Sequence, residues 1–194
     1  MHFRKMMCVV WMLSFASLNS AVAANLDFNE VSPEVQASPT ISLSNAEVTS
    51  LVGDSFVYGG LDFDVGPNGG FCALTTSFTC AGDAEVTFSL GPVSNLTFQT
   101  YFAGHHDSTI ISIFDGLTKL ASIAVNSNIL VDFSAFSGIT SVFIDDNSGN
   151  SDGIAYADWE FTQGVPNKIP LPASLPFLIA GLGCVSLLRR RTQP

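Results

Sequence analysis

The densest group of oxygen-bearing side chains in the chain spans residues 145–153, with the sequence DDNSGNSDG. Oxygen ligands at this density suit Ca²⁺, which binds about six to eight of them. The spacing departs from an EF-hand, because a loop with Gly153 at its glycine position would end on Trp159 rather than on a glutamate. We therefore interpret the segment as a solvated acidic turn, and calcium binding remains the alternative.

A second group of acidic residues combines positions near the start of the folded region with a position near its end. Trp159 and Phe161 belong in a core, so Asp158 between them is expected to point away from it. Residues 26–30 and 153–158 resemble the pattern by which bacterial carbohydrate-binding jelly-roll modules tie their first and last strands with a structural Ca²⁺. This resemblance implies Asp27, Glu30 and Asp158 as calcium ligands.

Candidate catalytic groups are sparse. Residues 105–108 read HHDS, but consecutive strand residues point to opposite faces, so we interpret them as an exposed loop, with a surface zinc or pH-sensing role as the alternative. Asp62 and Asp64 would share one strand face, as the carboxylates of a glycosidase might, but the sequence shows no partner across a cleft. The sequence therefore predicts a protein without catalytic activity, and a secreted hydrolase is the least favoured alternative.

Exposed aromatic side chains are a further feature to consider, because a glycan-binding surface would need them. The candidates are the three tyrosines of the chain, Tyr58, Tyr101 and Tyr156. They keep a specific sugar ligand open as an alternative function.

Charge is strongly segregated along the chain. Residues 25–168 hold all 17 acidic residues and only Lys119 and Lys168 as basic ones, a formal balance of −15. Such a region repels phosphate backbones and anionic membrane surfaces. Nucleic-acid binding through this region is thereby excluded.

Residues 1–24 have the features of a secretory signal peptide. Arg4 and Lys5 form a charged start, residues 8–18 form a short apolar run, and Ala21 to Ala23 give an A-x-A cleavage site. The mature chain is expected to begin at Ala24 or close to it. An uncleaved membrane anchor is the alternative.

The C-terminal segment, residues 169–194, combines a proline motif, an apolar stretch and a basic cluster. Ile169 precedes Pro170, Leu171, Pro172 and Ala173, and residues 174–188 carry no charge. Together these cover about 20 residues, enough to cross about 30 Å of hydrocarbon. The cluster of Arg189, Arg190 and Arg191 would stay cytoplasmic and hold the acidic region outside the inner membrane. A plain tail anchor or a buried core helix is the alternative.

This C-terminal arrangement resembles the PEP-CTERM class of bacterial sorting signals, in the variant named for VPLPA, with Ile169 in place of the first valine. The resemblance implies that a membrane-embedded exosortase cleaves at the motif and releases or transfers the protein to the cell surface. It also implies an association with exopolysaccharide and biofilm. The resemblance covers about 25 residues and assigns no activity to the region before them.

Both ends therefore predict an oxidising compartment. Cys8 would leave with the signal peptide and Cys184 lies in the apolar stretch, so Cys72 and Cys80 remain. In an exported domain we interpret this pair as a disulfide, with a redox or metal-binding role as the alternative.

The region that positions these residues reads as all-β. Apolar and polar residues alternate in several segments, for example Val86, Phe88 and Leu90 against Glu85 and Thr87. Period-two alternation indicates antiparallel strands with one buried face. About ten such strands over residues 25–163 predict a two-sheet, jelly-roll-like β-sandwich, followed by a linker over residues 164–168.

Overall fold

The computed structural model describes residues 21–33, 35–36, 38–59, 65–104, 106–148 and 153–164. These residues form 13 strands in two antiparallel sheets, which confirms the predicted all-β class and the β-sandwich. Residues 1–20 of the predicted signal peptide, residues 165–168 of the predicted linker and all of the predicted C-terminal sorting segment lie outside the described residues.

The strands range from two to ten residues in length. In chain order they are β1 (Val22–Asn25), β2 (Val35–Gln36), β3 (Thr40–Ser42), β4 (Ala46–Ser50), β5 (Ser55–Tyr58), β6 (Gly70–Ala73), β7 (Ala84–Phe88), β8 (Val93–Tyr101), β9 (Thr109–Asp115), β10 (Thr118–Val125), β11 (Leu130–Ile139), β12 (Ser141–Asp146) and β13 (Ala155–Gln163).

The seven-stranded sheet has the order β11-β8-β13-β6-β5-β2, with β1 also paired to β13. The six-stranded sheet has the order β10-β9-β12-β7-β4-β3. After β6 the chain crosses between the sheets at β7, β8, β9, β11, β12 and β13 in turn. The last strand, β13, therefore lies in the middle of the larger sheet and depends on pairing with distant parts of the chain.

The strand directions divide the turns between two ends of the sandwich. At one end, which we call the exit end, β13 finishes at Gln163 beside the start of β8 at Val93. The opposite end, which we call the distal end, holds the start of β13 at Ala155 beside the end of β8 at Tyr101. The disulfide loop and the connection between β12 and β13 also lie at the distal end, because Cys80 and Gly153 form a bridge there.

The core between the sheets is built around aromatic residues of the larger sheet. Trp159 has no exposed surface, and its ring stacks on Phe98 at a centroid distance of 4.0 Å. Phe71 contacts Trp159 from the neighbouring strand, at 6.2 Å between centroids. Facing them, the smaller sheet contributes the inward residues of its alternating strands, including Val86, Ile113 and Ile144, all fully buried. Each such side chain stabilises the fold by about 1.5–3 kcal/mol relative to leaving it exposed.

A β-bulge at Asp158 changes the facing of β13. Ala157 pairs with Gln99 and Glu160 with Thr97, so β13 has one more residue than β8 over this stretch. Asp158 takes up this extra residue with φ 51, in the left-handed region. As a result Tyr156 and Trp159 both face the core, and the expected outward position of Tyr156 is wrong: the residue is 1% exposed.

Two apolar side chains lie outside the core because the strand before each one ends earlier than the apolar alternation does. Leu90 was expected on the buried face, but it lies in a turn and is 48% exposed. Phe102 follows β8 in the same way and is 41% exposed. Apolar alternation continues past the last hydrogen-bonded pair in these places, and alternation alone carries no information on where pairing stops.

The predicted disulfide is present between Cys72 on β6 and Cys80, with their Cα atoms 5.3 Å apart. Cys80 also pairs with Gly153 in an isolated parallel bridge, in which Ile154 N donates to the Cys80 carbonyl at 3.1 Å. The disulfide holds Cys80 to β6, and the bridge holds the loop between β6 and β7 to Gly153, two residues before the last strand.

Candidate functional site

Two of the predicted calcium ligands have partners within the protein. An Asp27 carboxylate oxygen accepts hydrogen bonds from the backbone N of Asn29 at 3.0 Å and from its side-chain amide at 2.9 Å. Glu30 accepts from the backbone N and the hydroxyl of Ser44, both at 2.8 Å. Asp27 thus caps the short 3₁₀ turn formed by Phe28–Glu30, and Glu30 fastens that turn to the connection between β3 and β4.

The third predicted ligand, Asp158, has a different environment. Tyr101 Oη donates to Asp158 Oδ2 at 2.7 Å, while Asp158 Oδ1 is buried and has no hydrogen-bond partner within the described residues. Gly66, with φ +87, packs so closely on this carboxylate that a β-carbon there would overlap it. Burial and the bond from its hydroxyl to Asp158 raise the pKa of Tyr101 to about 12.

These three residues do not form a metal-binding cluster by themselves. Within the described ranges, no three His, Cys, Asp or Glu side chains come close enough together to hold a metal ion. Calcium at Asp27, Glu30 and Asp158 therefore stays a prediction, in which Asp158 Oδ1 is a buried ligand atom that accepts no hydrogen bond from the described residues.

The acidic segment 145–153 is not simply a solvated turn where it is described. Asp146 is only 9% exposed and accepts from Ser148 N at 2.8 Å and from Tyr156 Oη at 3.2 Å. Its own backbone N donates to Asp83 Oδ1 at 3.0 Å. Burial raises the pKa of the Asp146 carboxyl, although its hydrogen bonds oppose that shift. Residues 149–152 of this segment lie outside the described residues.

The loop over residues 105–108 was predicted to be exposed, and this holds for His106 but not for Asp107. Asp107 is 3% exposed and accepts a hydrogen bond from Gly104 N at 2.6 Å. A glycine turn folds this carboxylate under the loop, which alternation along a strand could not predict. His105 lies outside the described residues, as do Asp62 and Asp64.

One further sequence feature concerns residues 149–153, GNSDG, which match the G-x-S-x-G spacing of hydrolase nucleophiles. That motif acts where a strand turns sharply into a helix and exposes the serine. Here the segment connects two strands, β12 and β13. The spacing match alone therefore assigns no nucleophile.

A polar groove of about 500 Å³ lies beside β13, where β1 joins it. Its polar lining comes from the amides of Asn25, Asn68 and Asn95 together with Glu160 and Thr162. Asn95, in the left-handed region at φ 53, donates from its side chain to Thr162 Oγ1 at 3.1 Å. Side-chain amides both donate and accept, so the groove can hydrogen-bond a neutral polar ligand such as a sugar.

Sequence reasoning missed this groove. Its lining residues come from β1, the turn before β6, a distortion of β8 and the end of β13, which meet only through sheet pairing. An asparagine at an irregular strand position was the one available signal, and it is a weak one.

The three tyrosines considered for glycan stacking differ in how accessible they are. Tyr156 is buried and unavailable to a ligand, whereas Tyr101 is partly buried against Asp158 and packs near Phe102 at 6.4 Å between ring centroids. The side chain of Tyr58 is not among the parts of the chain that the structure describes.

Comparison with known proteins assigns the chain to no family. No protein-family model matches the chain, and no curated protein matches it. Among solved structures, a family two carbohydrate esterase from Cellvibrio japonicus is similar at 16% identity with a TM-score of 0.32. The match covers 77% of this chain and 36% of the esterase chain.

Among the described residues, no helix has the length and apolar character needed to cross a membrane. The apolar stretch after Ile169 lies outside those residues.

Proposed function

We propose that the protein is a non-catalytic, exported component of the cell surface or extracellular matrix, sorted by an exosortase and associated with exopolysaccharide or biofilm. The observation that carries this proposal is the C-terminal segment. There the motif Pro170 to Ala173 precedes an uncharged stretch that ends in Arg189, Arg190 and Arg191. In this proposal the inner membrane holds an anchored intermediate until the exosortase acts.

The folded region fits this proposal in two respects. The Cys72–Cys80 disulfide suits an oxidising, extracytoplasmic compartment. The repeated crossing of the chain between the two sheets supports a jelly-roll-like arrangement of the sandwich, a scaffold that presents loops and grooves.

The sorting proposal is tested by mass spectrometry of the native surface form. We expect the new C-terminus to lie within or next to residues 170–173, and an intact C-terminus through Pro194 would refute sorting. Replacement of Pro170 and Pro172 by alanine should trap the uncleaved chain in the inner membrane. Pro166→Ala, a proline change just before the motif, is the matched control and should be processed normally.

A second candidate function is a calcium-stabilised carbohydrate-binding module with a definite glycan ligand. Two observations favour it: the polar groove beside β13, and Asp158 Oδ1, which is buried without a hydrogen-bond partner among the described residues. In this proposal Asp27, Glu30 and Asp158 contribute to the calcium site, and the amides of Asn25, Asn68 and Asn95 bind the sugar.

A glycan array with and without Ca²⁺ distinguishes the two candidates. A specific glycan signal that is lost in Asn95→Ala, and kept in the exposed change Asp132→Asn, would favour the module. For calcium, the melting temperature should rise when millimolar Ca²⁺ is added after chelation. An unmoved melting temperature would rule the calcium site out.

A further inference from the structure

Two leucines project from turns at the exit end of the sandwich. Leu117 lies in the turn between β9 and β10 and is fully exposed, at 102% of its reference area. Leu90 lies in the turn between β7 and β8 and is 48% exposed.

The two turns are held together by Thr140. Its backbone N donates to the Phe114 carbonyl at 2.8 Å, and its hydroxyl accepts from Gly116 N at 2.8 Å. On the other side, Phe88 N donates to the Thr140 carbonyl at 3.1 Å. The leucines thus belong to one fixed surface at this end.

The apolar surface continues from Leu117 onto the outer face of the smaller sheet. Leu117, Phe114 and Phe143 line a shallow hollow of about 200 Å³ there, together with Glu85 and Ser141. Lys119 pairs in register with Phe114 across β9 and β10. It is the one lysine or arginine in the described ranges.

The chain leaves the sandwich at the same end. Gly164 follows β13 and lies beside Pro92, with a β-carbon built on it 3.6 Å from the Pro92 carbonyl oxygen. Pro92 is two residues from Leu90. Only residues 165–168 separate Gly164 from the uncharged stretch that begins at Ile169. Five residue steps span at most about 18 Å, so an anchored domain must stand with its exit end close to the bilayer.

The distal end also exposes apolar side chains, among them Phe78 at 69% and Leu130 at 59%. The chain does not leave the sandwich there, so the tether does not bring these turns to the bilayer.

We propose that, in the membrane-anchored form, the exit end docks on the lipid bilayer. Leu117 and Leu90 enter the boundary between headgroups and acyl chains, and Lys119 faces the lipid phosphates. The occupant is the bilayer itself, because the short tether brings this end to it. This inference rests on the proposed membrane anchoring.

Depth-dependent quenching tests the docking in the full chain, reconstituted into phosphatidylcholine vesicles with the Cys72–Cys80 disulfide intact. An environment-sensitive fluorophore is attached to Leu117→Cys or Leu90→Cys in a background that carries both Cys8→Ser and Cys184→Ser. Phe78→Cys at the distal end is the matched control. Lipids that carry a quencher at headgroup depth should reduce fluorescence at positions 117 and 90 several-fold more than at position 78.

The experiment distinguishes a failure of docking from a failure of membrane anchoring. If the protein floats with the vesicles but positions 117 and 78 are quenched equally, the docking is wrong while the anchoring stands. If the protein does not float with the vesicles, the anchoring is wrong and the docking with it.

Discussion

The hydroxyl of Tyr101 donates to the carboxylate of Asp158 at 2.7 Å, across the pair of strands β8 and β13. The contact exists because the bulge at Asp158 turns its side chain out of the core and toward Tyr101. It couples the ionisation of a phenol to the geometry of the last strand, and it can be observed in solution.

Tyrosinate absorbance should report this contact. The folded state holds the proton of Tyr101 up to a pKa of about 12, against 10.0 for the free side chain. The higher pKa of Tyr101 in the folded state therefore adds to the unfolding free energy. This added stability is fully present below pH 10 and is lost as the pH rises toward 12. The absorbance transition of Tyr101 is identified by its loss in Tyr101→Phe. In Asp158→Asn this transition should move to lower pH. Glu160→Gln, two residues along the strand, should leave it in place, and an equal shift in both variants would contradict the assignment.

Loss of the disulfide should destabilise the domain by about 2–3 kcal/mol, because the crosslink limits the unfolded chain. Urea denaturation of the Cys72→Ser, Cys80→Ser double variant measures this loss. Reductant should bring the unmodified protein to the same midpoint and leave the double variant unchanged. Labelling of the exported protein by a thiol reagent at either position, without prior reduction, would be inconsistent with the bridge.

The buried carboxyl of Asp146 should stabilise the domain more in acid than at higher pH. Burial raises its pKa from 3.8, so the folded state binds this proton more tightly than the unfolded state does. The resulting stability is present below pH 3.8 and lost as the pH rises through the folded-state pKa. The unfolding free energy of the unmodified protein, relative to Asp146→Asn, should therefore fall with rising pH. A difference between the two proteins that stays constant with pH would contradict this assignment.

Gly153 should not tolerate a side chain. It has φ +79, and a β-carbon there would overlap the Cys80 carbonyl. Gly116, at φ +56 with no atom within 4 Å of a built β-carbon, is the matched control. Gly116→Ala should cost about 1 kcal/mol for the left-handed backbone alone. Gly153→Ala should cost at least about 2 kcal/mol more, and equal losses would show that the two loops can separate freely.

The sequence predicted the features that depend on local alternation and on cysteine count. The sandwich, the inward positions of Trp159 and Phe161, and the disulfide all followed from such patterns. The facing of Tyr156 did not, because one extra residue at Asp158 reverses the alternation and only the pairing with β8 reveals it. The polar groove escaped for the same kind of reason, since Asn25 and Asn95 meet only through the assembled sheet.

The pairing of β1 also bears on the predicted signal peptide. Val22 and Ala23 pair with Gln163 and Thr162, yet both precede the expected first mature residue, Ala24. Cleavage at that point would keep only the pairs of Ala24 and Asn25 with β13. A chain that begins at Ala21 should therefore be more stable than one that begins at Ala24, by thermal denaturation of the two forms.

The opposite placement of the exit and distal ends has a mechanical consequence. A nine-residue strand, Ala155–Gln163, runs from one end to the other, a length of about 30 Å. The sandwich therefore separates the C-terminal end of β13 from the distal loops by about that length. A pulling force applied through the C-terminus would load β13 along its axis, in shear against β8, the geometry in which paired strands resist separation best.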